Sequence, residues 1–224
     1  MNNHHRVLSS CTLPNGTELK NRLFMAPMTT CSGYYDGSVS SELVEYYRAR
    51  AGLIGTIIVE CCFVDDLGLA FPGALGIDSD DKIAGLAKIA EAIQSKGSKA
   101  LLQIYHGGRM VDPKLIGGRT PVGPSAVAAP RDGAATPVAL TAEEVEGMVG
   151  KFGDAVRRAI QAGFDGVEIH GANTYLIQQF YSPNSNQRDD EWGGSRDNRA
   201  KFPLAVLDIT HKMVRQYADD AFII

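Results

Sequence analysis

The sequence predicts an α/β fold, a (β/α)8 TIM barrel, on three observations. Short apolar runs rich in β-branched residues alternate four times with amphipathic helical stretches, the pattern of a parallel sheet with helical crossovers. That alternation also suits a doubly wound sheet. However, the glycine-rich GxGxxG turn of a dinucleotide fold is missing, since Met28 leads into Thr29-Thr30-Cys31-Ser32-Gly33. Finally, Gln103, Glu168 and His170 lie inside or at the ends of apolar runs, as befits a barrel whose carboxyl-end face does the chemistry. Four units already occupy most of the 224 residues. The chain is therefore expected to cover only an N-terminal hairpin and about the first four and a half βα units of the barrel.

The elements follow in order. Asn15-Gly16 between short flanks signals a type I′ hairpin over residues 12–19. Residues 23–28 (LFMAPM) form a short apolar first strand. Ser40 caps a helix over residues 42–51, and Gly52 stops it. Residues 55–62 (GTIIVECC) read as a second strand buried on both faces. A helix over residues 81–95 ends near Gly97, and residues 98–105 (SKALLQIY) are the third strand. Residues 107–137, rich in Gly and Pro, form a long loop. Thr141 and Glu144 make a capping box for the best-marked helix. In it Val145, Met148, Val149, Phe152, Ala155, Val156, Ala159 and Ile160 recur at helical spacing before Gly163. Residues 166–170 (GVEIH) are the fourth strand, residues 197–217 a further helix, and residues 221–224 (AFII) open a fifth apolar run.

Apolar residues make up 44% and charged residues 21%, which places the chain among globular proteins. Lys and Arg number 22 against 26 Asp and Glu, a net charge of −4 that argues against nucleic-acid or anionic-membrane partners. No apolar run approaches the ~20 residues of a membrane span. The opening MNNHHR lacks a signal-peptide core, and His4 and His5 belong to a tail expected to lack structure. Cys11, Cys31, Cys61 and Cys62 show no CxxC spacing, so a reducing cytoplasm is the expected location. Cys61 and Cys62 are strand neighbours pointing to opposite faces, which suits a core better than a metal site. With no linker or composition shift, residues 1–224 read as one domain, incomplete at its C-terminal end.

The segment Glu168-Ile169-His170-Gly171-Ala172-Asn173-Thr174-Tyr175 carries the most chemistry. A His and an Asn three apart at a strand end can aim two donors at one oxygen whose charge grows in a transition state. Tyr175 adds a phenol, protonated at neutral pH, that can act as a general acid. The same spacing also allows a rim histidine and a packing tyrosine. Gln103 carries an amide with donor and acceptor groups, and Pro27 removes a backbone donor where Thr29 supplies a hydroxyl. Either could be merely structural. His106 with Arg109 follows the third strand and suits a structural role as well as contact with substrate or a neighbouring subunit. Asp189-Asp190-Glu191 reads as solvated surface.

Several motifs occur together in one order. They are Ala26-Pro27-Met28-Thr29, Val59-Glu60-Cys61, Gln103-Ile104-Tyr105-His106-Gly107-Gly108-Arg109, Val122-Gly123-Pro124-Ser125-Ala126, the run AGFDGVEIHGAN ending at Asn173, Gln179-Phe180-Tyr181-Ser182-Pro183-Asn184, and Trp192-Gly193-Gly194-Ser195. This set resembles the old yellow enzyme family of FMN-dependent NAD(P)H:acceptor oxidoreductases, in its bacterial NADH:flavin oxidoreductase branch, over nearly the whole chain. The resemblance implies an FMN cofactor, NADH or NADPH as hydride donor, and an activated alkene or similar small molecule as acceptor. It places Ala26, Pro27, Met28 and Thr29 along the flavin ring, with Thr29 near the carbonyl O4, Cys61 beside the ring, and Gln103 on its pyrimidine half. It implies that His170, also against the cofactor, and Asn173 grip the acceptor's activating oxygen while Tyr175 donates a proton. The chain is compatible with a homo-oligomer.

The sequence also departs from the family. Many relatives carry Cys where Thr29 stands, so thiolate tuning there is not expected. The family's fifth-strand arginine would lie just past Ile224, and the phosphate site of such barrels is built by later loops. Residues 1–224 alone are accordingly expected to be aggregated or molten and not to retain FMN. One alternative is a non-catalytic fragment with inherited but unused site residues. Another is a phosphate-binding lyase on the same barrel, for which no Schiff-base lysine stands at a strand end.

Overall fold

The computed structural model describes residues 4–224. A short helix α1 (His4–Leu8) takes the place of the unstructured tail, of which Met1–Asn3 lie outside the described residues. The hairpin pairs β1 (Cys11–Thr12) with β2 (Glu18–Leu19), as Asn15-Gly16 predicts, but its turn is not type I′. Residues 13–17 bridge the strands, and among them only Gly16 has positive φ, at 87°. A type I′ turn needs two such residues. Asn15 is otherwise engaged: its amide donates to the Phe222 carbonyl at 3.2 Å and its oxygen accepts from the Thr17 N–H.

Then comes the barrel rhythm. β3 (Phe24–Met25) is shorter than its apolar run because Pro27 has no N–H to extend the ladder. α2 (Ser41–Arg50) starts at the Ser40 side chain, which accepts from the Leu43 N–H, and Gly52 turns the chain with φ of 110°. β4 (Thr56–Phe63) is buried along its whole length, and β5 (Leu75–Gly76) pairs with its end. α3 (Ile83–Gln94) crosses to β6 (Lys99–Tyr105). The long loop is better ordered than its composition predicts. It holds two 3₁₀ turns, Gly108–Met110 and Pro113–Ile116, and then β7 (Val122–Gly123), which pairs with β8 (Val138–Ala139). α4 (Ala142–Gln161) opens on the expected capping box, the Thr141 hydroxyl accepting from the Glu144 N–H at 3.2 Å and the Glu144 carboxylate from the Thr141 N–H at 2.8 Å. β9 (Gly166–Ile169), a short α5 (Leu176–Tyr181) that the sequence pattern does not show, and α6 (Arg196–Tyr217) complete the order.

β3, β4, β6 and β9 lie side by side in chain order, all parallel, and Ile223 bridges Gly166 in the same sense, so residues 221–224 take the fifth place. This is the opening half of a (β/α)8 barrel, as an open arc. One face of the arc carries Ile57, Val59, Cys62, Leu102, Ile104 and Val167, packed on α2, α3 and α4 through Leu43, Leu86, Ile89, Val145 and Phe152. No helix among the described residues is long and apolar enough to cross a membrane. The Asp189–Glu191 run is not uniformly solvated, since Asp190 pairs with the Arg188 guanidinium at 2.5 Å.

One irregularity matters for function. Val59 pairs with Leu102 and Cys62 with Ile104, so Glu60 and Cys61 together oppose Gln103 alone. This β-bulge keeps both Val59 and Cys62 on the helix side and turns Cys61 into a separate cluster with Phe63, Tyr105 and Tyr175. Cys61 and Cys62 thus face opposite ways, as strand geometry requires.

Candidate active site

A cleft of about 420 Å³ opens at the carboxyl ends of β3, β4, β6 and β9. Its lining includes Pro27, Thr29, Cys61, Gln103, His170, Asn173 and Tyr175, so the topology brings together seven of the nine residues to which the resemblance assigns a role. Ala26 and Met28 are not among the lining residues. Ala26 and Met28 are exposed at the open edge of the arc, Met28 to 53%. His106 and Arg109 do not line the cleft either. Both are buried: the His106 ring faces Asp65 at 3.6 Å, and the Arg109 guanidinium donates to the Val127 and Ala128 carbonyls.

Each polar group at the cleft is held by another. The Thr29 hydroxyl lies 3.2 Å from the Cys61 sulfur, and burial pushes that thiol up to about 11, so it stays protonated at neutral pH. Glu60, fully buried, accepts from the Thr30 N–H at 3.2 Å, the Thr30 hydroxyl at 3.0 Å and the Tyr47 hydroxyl at 3.2 Å. Burial raises its carboxyl despite these donors. Glu60 thereby ties the segment bearing Thr29 to β4. The Gln103 amide donates to Glu168 Oε1 at 2.5 Å, which fixes the amide's orientation and leaves its oxygen free to accept from a bound molecule.

The rim follows the same logic. The Ala172 N–H donates to His170 Nδ1 at 3.2 Å, so the neutral ring carries its proton on Nε2. Burial lowers the pKa of His170, which favours that neutral form. Asn173 Nδ2 stands 3.5 Å from His170 Nε2. At that separation two N–H donors lie side by side, able to share one oxygen. Tyr175 packs edge-on to the His170 ring at 4.9 Å and against Tyr105 and Phe71, and burial pushes its phenol up to about 12. Phe71, a wall of the cleft, lies in a loop without periodicity that sequence reasoning does not single out. Glu60 had one visible signal, a carboxylate inside an apolar strand.

An arc of parallel strands with a polar, aromatic-walled cleft at its carboxyl ends defines the class of barrel enzymes that work at that face. Residues 11–222 match the NADH:flavin oxidoreductase / NADH oxidase family, and the chain belongs to that family. It is 83% identical to the NADH:fumarate oxidoreductase of Klebsiella pneumoniae (strain 342), over 100% of this chain and 24% of that protein. It is 57% identical to the NADH:acrylate oxidoreductase of Vibrio harveyi, over 98% of this chain and 22% of that protein. Among solved structures, morphinone reductase superimposes with a TM-score of 0.86 at 32% identity, covering 96% of this chain and 60% of that one. The chain thus spans about a quarter of the length of those two sequence relatives.

Proposed function

We propose that this chain forms the flavin-facing and substrate-facing half of an FMN-dependent oxidoreductase that moves a hydride from NADH or NADPH to an activated alkene or similar small acceptor. The observation that carries this reading is the pair of donors on His170 and Asn173 set against the Tyr175 phenol. The donor set fits an isoalloxazine ring. Gln103 offers an acceptor to an imide N–H, Thr29 a hydroxyl to a ring carbonyl, and Pro27 an apolar surface, with Cys61 beside them. The lining includes no Lys or Arg, so it is the ring and not the phosphate that these residues would hold.

FMN, when bound, supplies the hydride relay that no side chain can provide. The protein's part is orientation and charge. His170 Nε2–H and Asn173 Nδ2–H donate to the acceptor's carbonyl oxygen and stabilise the negative charge that grows there. Tyr175, kept protonated by burial, gives its proton to the carbon skeleton. The acceptors in the names of the two sequence relatives, fumarate and acrylate, are alkenes conjugated to a carboxylate, the activation this clamp suits. We infer further that residues 1–224 act as one domain, that the free cysteines sit in a reducing cytoplasm, and that a homo-oligomer is compatible with this role. The test is anaerobic titration with NADH of the FMN-supplemented complete barrel that contains residues 1–224, since these residues alone are not expected to retain the flavin. A visible flavin band that bleaches and is restored by an activated alkene supports the proposal. A protein that neither takes up FMN nor oxidises NADH would contradict it, as a non-catalytic fragment would.

A further inference from the structure

The turn between His170 and Tyr175 is strained. Asn173 and Thr174 have φ of 53° and 60°, and neither is glycine. For β-branched Thr174 this region is an outlier. Such a conformation persists only where the surroundings over-determine it, and here it decides where the Asn173 amide and the Tyr175 ring stand.

Two adjacent glutamines of α5 supply the restraint. Gln178 Oε1 accepts from the Thr174 N–H at 2.5 Å, and Gln179 Nε2 donates to the Thr174 carbonyl at 2.6 Å, so both peptide groups of the strained residue are held. Gln179 is 1% exposed and reaches a second loop as well. Its Nε2 donates to the Gly107 carbonyl and its Oε1 accepts from the Arg109 N–H, each at 3.1 Å. Gly108 leaves room for it, since a Cβ at that position would lie 2.3 Å from Gln179 Oε1. Neither glutamine lines the cleft.

We propose that Gln178 and Gln179 are positioning residues for the reduction: they clamp the left-handed Asn173-Thr174 turn and so hold the Asn173 donor beside His170 and next to Tyr175. This rests on the proposed roles of His170, Asn173 and Tyr175. Its energetic logic is specific. The clamp is needed because Thr174 resists the turn, so replacing Thr174 by glycine, which enters that region freely, makes the clamp dispensable.

The experiment titrates the FMN-loaded complete barrel that contains residues 1–224 with 4-chlorophenol, following the charge-transfer absorbance that a phenolate gives when held against the flavin. The variants are Asn173→Ala, Gln178→Ala, Gln179→Leu, and each glutamine variant combined with Thr174→Gly. Gln178 is exposed, so Gln178→Ala keeps the test valid where Gln179→Leu fails to fold. Gln178→Ala is expected to weaken phenol binding about tenfold at an unchanged melting temperature, and added Thr174→Gly to restore most of it. Binding within twofold of the parent in Gln178→Ala, or a loss that Thr174→Gly does not reverse, overturns the clamp. If Asn173→Ala itself leaves binding unchanged, the proposed anion-holding pair fails, a result distinct from failure of the glutamines alone.

Discussion

On the helix side of the arc, Ile57, Val59, Leu102, Ile104 and Val167 meet Leu86, Ile89, Val145 and Phe152 with no polar atom to satisfy. At the carboxyl ends of the same strands, Gln103 and the adjoining His170 at the cleft are held by Glu168 and by Ala172, and Glu60, buried behind the cleft lining, by Thr30 and Tyr47. The two sides obey different rules. Apolar packing is non-directional and roughly additive in area, so that side carries stability. Buried polar groups are costly unless paired, so the cleft side sets its groups through specific partners, each of which fixes a direction. Substitutions should therefore separate cleanly: helix-side changes move melting temperature, and cleft-side changes move binding and rate.

The largest stability effect is expected at Phe152, fully buried against Phe202 and the sheet. Phe152→Ala should cost ~3–5 kcal/mol, much of a typical domain's margin, read by denaturant unfolding. A loss below ~1 kcal/mol would show the helix side to be loosely packed. Glu60→Ala comes next. It strands the Thr30 N–H and the Tyr47 hydroxyl, costing roughly 1–3 kcal/mol, and it frees the segment bearing Thr29. Weakened FMN affinity in Glu60→Ala, beyond what Phe152→Ala causes, is the expected signature of a residue that supports the cleft from behind.

A pH effect sharpens the same contrast from outside the cleft. Burial works against ionisation of Asp65, yet the His106 ring and the Lys151 ammonium outweigh it and hold the carboxyl well below the usual range. A depressed carboxyl contributes stability that is present above its unfolded value near ~4 and is lost as pH falls through the folded value. Asp65→Asn should therefore destabilise the protein at neutral pH and flatten its acid unfolding. An unchanged acid limb would show that the ring and ammonium are not coupled to this group. The smallest effect is expected at Thr141→Ala, about 1 kcal/mol for the lost cap of α4, with no change in FMN affinity.

Elements marked by local pattern were legible in the sequence: the four strands, the capping box of α4, and the Gly52 and Gly163 stops. So was the clustering of His170, Asn173 and Tyr175, because three residues leaving one strand end stay together in any parallel barrel. The bulge at Glu60 and Cys61 was not legible, since it is set by the register against β6 and not by either residue. Nor was the part played by Gln179, which meets Arg109 across 70 positions of chain. A threonine in a left-handed turn contradicts its own propensity, and only tertiary restraint explains it. Ala26 and Met28 belong to the same continuous motif as Pro27 and Thr29 but do not line the cleft.

The central claim is that Tyr175 is a proton donor, kept protonated by the cleft that holds it. Because burial pushes its phenol up to about 12, alkene reduction should show no alkaline loss from Tyr175 near ~10, where an exposed phenol titrates. The most direct measurement compares the two half-reactions of FMN-loaded Tyr175→Phe protein by stopped flow. Alkene reduction by the pre-reduced enzyme should slow by ~10²–10⁴-fold, while reduction of the bound flavin by NADH stays within a few-fold of the parent. Equal losses in both half-reactions would contradict the claim and make Tyr175 a wall of the cleft, not its acid.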